Sequence, residues 1–260
     1  MFVVTSLEAS RGRGWQVHPG RRLAVVVTAL ATALVTGLVG GDPASAATTA
    51  PTFSRTDYQQ LGNNHVAADF NGDGRLDVAG QGAQSAAVLL NRGDGTFGAR
   101  VEYPVADWTQ DLAAGDFNGD ARVDLAVTIN NPNVSLSLLM GNGDGTFGVA
   151  RNFANTTGLD SPAVVATDLN NDGRLDLAIT HEVGCFTAPC VVGQTLSVLM
   201  GNGDGTFQPT RDTQVGRGMA KIAVGDFNRD GIKDLAIAGD SSRVYLLRGV
   251  GDGTSCNSRR

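Results

Sequence analysis

Four times the chain sets carboxylates and an amide at one fixed spacing. The loops are Asp69-Phe70-Asn71-Gly72-Asp73-Gly74-Arg75-Leu76-Asp77, Asp116-Phe117-Asn118-Gly119-Asp120-Ala121-Arg122-Val123-Asp124, Asp168-Leu169-Asn170-Asn171-Asp172-Gly173-Arg174-Leu175-Asp176 and Asp226-Phe227-Asn228-Arg229-Asp230-Gly231-Ile232-Lys233-Asp234. Asp at positions 1, 5 and 9 with Asn at 3 makes an oxygen cage for a hard cation. Side chains at 1, 3 and 5 converge when such a loop curls, and position 7 offers its carbonyl, as in calcium-binding EF-hand loops; here Asp at 9 closes the set. The candidate ligands are Asp69, Asn71, Asp73, Arg75 (carbonyl) and Asp77; Asp116, Asn118, Asp120, Arg122 (carbonyl) and Asp124; Asp168, Asn170, Asp172, Arg174 (carbonyl) and Asp176; and Asp226, Asn228, Asp230, Ile232 (carbonyl) and Asp234. Without a cation, three carboxylates at such close quarters repel one another. Ca2+ is therefore the expected cofactor.

The four sites are not expected to be equal. Ala121 stands where the other loops have Gly at position 6. If that position needs left-handed backbone, alanine costs about 1–2 kcal/mol, so the second loop should bind weakest. Position 4 varies from Gly72 and Gly119 to Asn171 and Arg229, which suggests a side chain directed outward. Extracellular calcium modules have Kd values of about 0.1–1 mM. At about 1 mM calcium and a Kd of about 0.1 mM, each site adds roughly 1.4 kcal/mol of stability. A structural role is expected for the ions.

These loops need strands on both sides. A second motif, Gly93-Asp94-Gly95-Thr96-Phe97, recurs in step as 143–147, 203–207 and, degraded, as Gly251-Asp252-Gly253-Thr254. Asp-Gly between apolar runs marks a tight hairpin turn, since Gly accepts positive φ. In the first unit, strand-like runs cover 65–69, 76–80, 86–90 and 100–105. Loop starts are 47, 52 and 58 residues apart. Four strands per unit of about 50 residues is the pattern of a propeller blade. The first strand of each unit is built from small residues such as Val66-Ala67-Ala68, suited to a crowded axis.

The expected fold class is all-β: a β-propeller of four four-stranded blades, near 64–105, 110–154, 162–215 and 219–248, within a repeat domain of 47–254. The strand-like stretch 52–61 is expected to complete the last blade, leaving 255–260 as a tail. The alternative is an open arc of a larger propeller. Seven Phe at repeat positions (53, 70, 97, 117, 147, 207 and 227) are expected to form blade-to-blade core.

Residues 1–46 read as an export signal. Arg11, Arg13, Arg21 and Arg22 precede an apolar run over 23–39, and Ala44-Ser45-Ala46 offers a cleavage site. The run is short for a membrane span, so a secreted protein is expected, with a retained anchor as the alternative. The full 260-residue chain has net charge −6; without the leader it has 16 basic and 24 acidic groups. Such acidity argues against nucleic acid and anionic membrane as partners. Twelve of the 24 carboxylates lie in the four loops. Cys185 and Cys190 share one insertion and suit a local disulfide in an oxidising compartment, with Cys256 left over.

The Asp-Phe-Asn-Gly-Asp-Gly loop followed by Asp-Val-Ala or Asp-Leu-Ala, alternating with Gly-Asp-Gly-Thr-Phe-Gly, resembles the FG-GAP or VCBS repeat. That repeat is similar to the blades of the integrin α-subunit head. The resemblance covers about 52–254. It implies a calcium-binding β-propeller of an exported protein, with calcium between the first two strands of a blade and ligands on the opposite face. The family commonly has seven blades, whereas this chain has four repeats. Its members range over adhesion, carbohydrate binding and parts of enzymes.

The expected function is an extracellular binding or adhesion module for carbohydrate or protein ligands, with self-association completing a ring as a further partner class. The face opposite the Asp loops carries Trp108, Asp107, Gln110, Asn130 and Asn131, and Trp108 is the one Trp beyond the leader. The alternative is a catalytic or non-catalytic part of an extracellular polysaccharide-degrading enzyme. No catalytic residues are assigned: there is no His-Glu-x-x-His or Gly-x-Ser-x-Gly, and His181 is expected as a surface strand residue. Arg92-Gly93-Asp94 reads as a turn variant, because the same turn begins Asn142-Gly143-Asp144 in the next unit.

Overall fold

Each Asp loop turns the chain between two short strands, and each unit then runs on as a four-stranded meander. A computed structural model describes residues 61–131, 134–154, 159–182, 194–216, 221–239, 243–252 and 255–256. The first sheet holds β1 (His65–Ala68), β2 (Asp77–Gln81), β3 (Ser85–Leu89) and β4 (Val101–Pro104). The second holds β5 (Thr109–Gly115), β6 (Asp124–Ile129), β7 (Leu136–Leu139) and β8 (Arg151–Phe153). The third holds β9 (Leu159–Thr167), β10 (Asp176–Glu182), β11 (Gln194–Leu199) and β12 (Arg211–Gly216). The fourth holds β13 (Ile222–Gly225), β14 (Asp234–Ala238), β15 (Val244–Gly249) and β16 (Ser255–Cys256). All pairings are antiparallel between sequence neighbours, and every regular element among the described residues is a strand.

Alternation along the strands sends neighbouring side chains to opposite faces. The forward face of each sheet packs on the rear face of the next. Ala79, Ala86 and Val88 meet Leu112, Leu125, Val127 and Leu139. Ala126, Leu136 and Leu138 meet Val164, Leu177, Ile179 and Leu199. Ala178, Leu196 and Val198 meet Leu235, Ile237 and Leu247. A fully buried Leu such as Leu136 or Leu138 contributes about 1.5–3 kcal/mol.

A second contact locks the sheets at their loop ends. The Phe70 ring stands edge-on to Phe147, with centroids 5.5 Å apart, and Gly145 N donates to the Phe70 carbonyl at 3.0 Å. One unit on, Phe117 meets Phe207 at 6.1 Å, and Gly205 N donates to the Phe117 carbonyl at 2.9 Å. The Gly-Asp-Gly-Thr-Phe segment is thus both a hairpin turn, with Asn91 bridged to Phe97, and the piece that grips the preceding Asp loop.

Three expectations are corrected. The outer place beside β15 is taken by β16, paired through Arg248–Cys256 and Gly249–Ser255, where 52–61 had been expected. The turn at 251–252 brings the adjacent residues back at once, a far smaller loop to close than one spanning the whole domain; 52–60 lie outside the described residues, and 255–256 belong to the sheet rather than a tail. Phe227 is 50% exposed, unlike Phe70 and Phe117 at 1% and 2%, because among the described residues no sheet packs on the forward face of the fourth. His181 is fully buried, not at the surface.

Candidate functional site

The four Asp loops have one construction. In the first, Asp69 Oδ1 and Oδ2 accept the N–H groups of Asp73 (3.1 Å) and Gly74 (2.7 Å). Asn71 Oδ1 accepts Asp73 N–H, and Asp73 Oδ1 accepts Arg75 N–H at 2.9 Å. Asp116, Asp168 and Asp226 curl their loops in the same way. So do Asn118, Asn170 and Asn228 on Asp120, Asp172 and Asp230, and these three Asp on Arg122, Arg174 and Ile232. The backbone is left-handed at positions 4 and 6 of every loop. Position 6 is Gly74, Ala121 (φ 65°), Gly173 and Gly231, and position 4 is Gly72, Gly119, Asn171 (φ 59°) and Arg229 (φ 64°). The demand at position 4 was not read from the sequence, although Gly72 and Gly119 carried its signal.

Asp at position 9 does something the sequence reading missed. Asp77, Asp124, Asp176 and Asp234 are fully buried. Each spends one oxygen on the N–H of loop position 2, at 2.9–3.0 Å. The other accepts the N–H of Asn91, Gly141, Gly201 or Gly249, where the third strand ends, at 2.7–2.9 Å. The carboxylate thus pins loop and turn together. Charge-assisted bonds of this kind are worth about 1.5–3 kcal/mol each.

As built, the loop oxygens fold back on their own backbone, and no three His, Cys, Asp or Glu side chains among the described residues form a metal cluster. The donor set nevertheless fits a hard cation. Burial pushes Asp124 and Asp176 above the usual carboxylate range, and two further loop carboxylates beside each add to the push: Asp120 and Asp116 for the one, Asp172 and Asp168 for the other. A cation at the loop would relieve that repulsion.

The expected ligand-face residues do come together, at the strand ends away from the Asp loops. Trp108 is 59% exposed. Its backbone N–H donates to Asp107 Oδ1 at 2.8 Å, and its backbone carbonyl accepts Asn130 N–H at 2.9 Å. Asn131 Nδ2 donates to Asp107 Oδ2 at 2.9 Å. The bond from Asn131, and then that from Trp108, hold Asp107 below the usual carboxylate range. The Gln110 carbonyl accepts Asn64 Nδ2 at 2.6 Å and also Gln81 Nε2. Cys185 and Cys190 lie outside the described residues, as does the apolar run over 23–39. Among the described residues no helix is long and apolar enough to cross a membrane.

Beside this cluster lies a constellation the repeats concealed. By register on the second strand of each sheet, Asn64, Asp111, Ala163 and Lys221 hold equivalent places along the four inner-strand segments. Lys221 Nζ donates to Asn64 Oδ1 at 2.9 Å and stands 3.8 Å from Asp111 Oδ2. Asp111 is buried and also accepts Val164 N–H. Burial raises its pKa, and the Lys221 ammonium works against that rise.

Comparison with known proteins is consistent with this construction. A model of the FG-GAP-like repeat matches residues 69–127 and 122–179. No curated protein matches the chain. Among solved structures it is similar to an Agrocybe aegerita lectin, described for its specific recognition of non-reducing terminal N-acetylglucosamine. The identity is 21% and the TM-score 0.52, over 75% of this chain and 51% of the lectin chain. The chain therefore spans about half of the lectin's length, and the likeness is one of fold. A weaker likeness, to the Photorhabdus luminescens Tc holotoxin pore, has 19% identity and a TM-score of 0.43 over 70% of this chain and 9% of that one. With the Asp loops and Gly-Asp-Gly turns in phase and two overlapping repeat matches, residues 69–179 of this chain are FG-GAP-like repeats.

Proposed function

We propose that this protein is a secreted, calcium-stabilised β-propeller that binds carbohydrate on the face opposite its Asp loops. Calcium would be held by positions 1, 3, 5 and 9 of each loop with the carbonyl of position 7, and would supply the charge that lets buried Asp124 and Asp176 stay ionised. It has no part in ligand chemistry, and no residue is given a catalytic role. The single observation that carries the binding reading is the exposed Trp108 beside the hydrogen-bonded Asp107–Asn131 pair. An indole face stacks on the apolar side of a sugar ring, while fixed carboxylate and amide groups take its hydroxyls. The lectin of similar fold supports carbohydrate over protein as the ligand class and makes glycans ending in N-acetylglucosamine the first to try.

The test is a glycan array in millimolar calcium with the purified protein and its Trp108→Ala variant. Binding to a defined glycan class is expected, weakened about 30-fold or more in the variant, the size of an aromatic anchor, at an unchanged melting temperature. A silent array, or binding that ignores the loss of Trp108, would overturn the reading.

A further inference from the structure

The segment that carries Trp108 enters the second sheet through a bulge. β5 pairs Thr109 with Ile129 and then Asp111 with Thr128, so Gln110 is an extra residue with no place opposite it on β6. A bulge bends its strand and re-aims the side chains beside it, and the ladder no longer fixes the backbone there. Side chains of the first sheet fix it instead. The Gln110 carbonyl accepts Asn64 Nδ2 at 2.6 Å and also Gln81 Nε2. The Thr109 carbonyl accepts Gln81 Nε2 at 3.3 Å, and Thr109 Oγ1 donates to the Gly82 carbonyl at 2.8 Å. Asn64 is in turn held from the fourth sheet, because its Oδ1 accepts Lys221 Nζ at 2.9 Å. The amide therefore has one workable orientation. Turned over, it would set its NH2 against the ammonium and its oxygen against the Gln110 carbonyl.

We infer that Lys221 is a positioning residue for Trp108, acting through Asn64 and the Gln110 carbonyl, a role that rests on the reading of Trp108 as the sugar platform. The ammonium is steered to its place by a second group. It stands 3.8 Å from Asp111 Oδ2, and the buried Asp111 is pinned to the third sheet by Val164 N–H at 3.1 Å. Contacts thus run unbroken from the third and fourth sheets to the bulge. A shift of the inner strand of the fourth sheet draws Lys221 from Asn64, frees the amide to turn, and loosens the carbonyl that sets the bulge. The ligand face is in this way made sensitive to how the fourth sheet is seated. The wiring is particular to the junction that carries Trp108. Asp111, the residue of the second sheet equivalent to Asn64, accepts an N–H of the third sheet instead of donating to a carbonyl, and Ala163 of the third has no side-chain polar atom.

The test uses the full chain with Trp15→Phe, which leaves Trp108 as its one Trp, carrying in turn Lys221→Met, Lys221→Arg and Asn64→Asp. The anisotropy and acrylamide quenching of Trp108 are read without ligand, and glycan affinity is read separately. Lys221→Met should lower the anisotropy, raise the quenching and weaken glycan binding about two- to tenfold, the worth of one hydrogen bond. Lys221→Arg, which keeps a donor for Asn64, should restore most of each. Asn64→Asp is the deciding variant. It keeps the tie to Lys221 and adds charge to it, yet removes the donor to Gln110, so it should disturb Trp108 as Lys221→Met does while the melting temperature holds. A Trp108 signal unchanged in Lys221→Met or in Asn64→Asp, or one that Lys221→Arg fails to restore, would overturn the positioning role. Because the fluorescence is read with no ligand present, a silent glycan array would overturn the carbohydrate reading alone.

Discussion

Ala121 and Arg229 hold left-handed backbone with a Cβ attached, at φ 65° and 64°. The two loops therefore carry strain of about 1–2 kcal/mol at each such residue. Ala121→Gly and Arg229→Gly should each raise stability by about 1 kcal/mol, or the melting temperature by about 2–4 °C for a domain of this size. Calorimetry on the two variants checks it. His181 is strained in another sense. Its Nδ1 lies 3.4 Å from Ser197 Oγ, which itself donates to Asp212 at 2.5 Å, while Nε2 is buried without a partner among the described residues. Burial holds its pKa below the ordinary 6.5, against the weaker pull of Asp212. Below pH 6.5 the unfolded chain takes up a proton that the folded one refuses, so this contribution is whole above pH 6.5 and falls away as the pH drops. The urea midpoint should decline from pH 7 to 5, and His181→Gln should flatten that decline. The strain at Ala121 was foreseen from its place at position 6, whereas that at Arg229 and the burial of His181 were not evident from residue type. Arg at position 4 hides a glycine-like backbone, and burial of His181 depends on a neighbouring sheet.

The Asp loop is the element in which sequence and structure agree most closely. Its spacing, the turn that follows and the small-residue inner strand were all legible, because each depends on a few adjacent residues. Strands expected at 65–69, 76–80, 86–90 and 100–105 stand at 65–68, 77–81, 85–89 and 101–104. The clamp made by Asp at position 9 was not legible, since it grips backbone 14 to 25 residues further on. That clamp gives the buried Asp two duties: it holds the hairpins, and it would close the oxygen set that positions 1, 3 and 5 offer a cation. Chelation should therefore weaken the domain without unfolding each loop. At about 1.4 kcal/mol per site, four sites make EDTA lower stability by about 5–6 kcal/mol at millimolar calcium. A melting curve that EDTA does not move would remove calcium from this account.

At the scale of the whole molecule, the repeat count and the order of packing followed from sequence, and the condition of the ends did not. The same Asp-Phe-Asn motif buries Phe70 and Phe117 and exposes Phe227, because burial is decided by what comes next in space. The equivalence of Asn64, Asp111, Ala163 and Lys221 emerged only once the strands were in register. The small apolar residues that follow made these four positions look like part of the repeat, yet their differences let Lys221 reach back to residues 157 and 110 positions earlier in the chain. The strand pairings, by contrast, all join sequence neighbours. Such wiring lets nascent chain settle as it emerges: a meander can form from its own residues and then template the one behind it. The fourth sheet, whose Phe227, Val244 and Leu246 are exposed, would be the first to loosen, giving faster amide exchange in β13–β15 than in β5–β7.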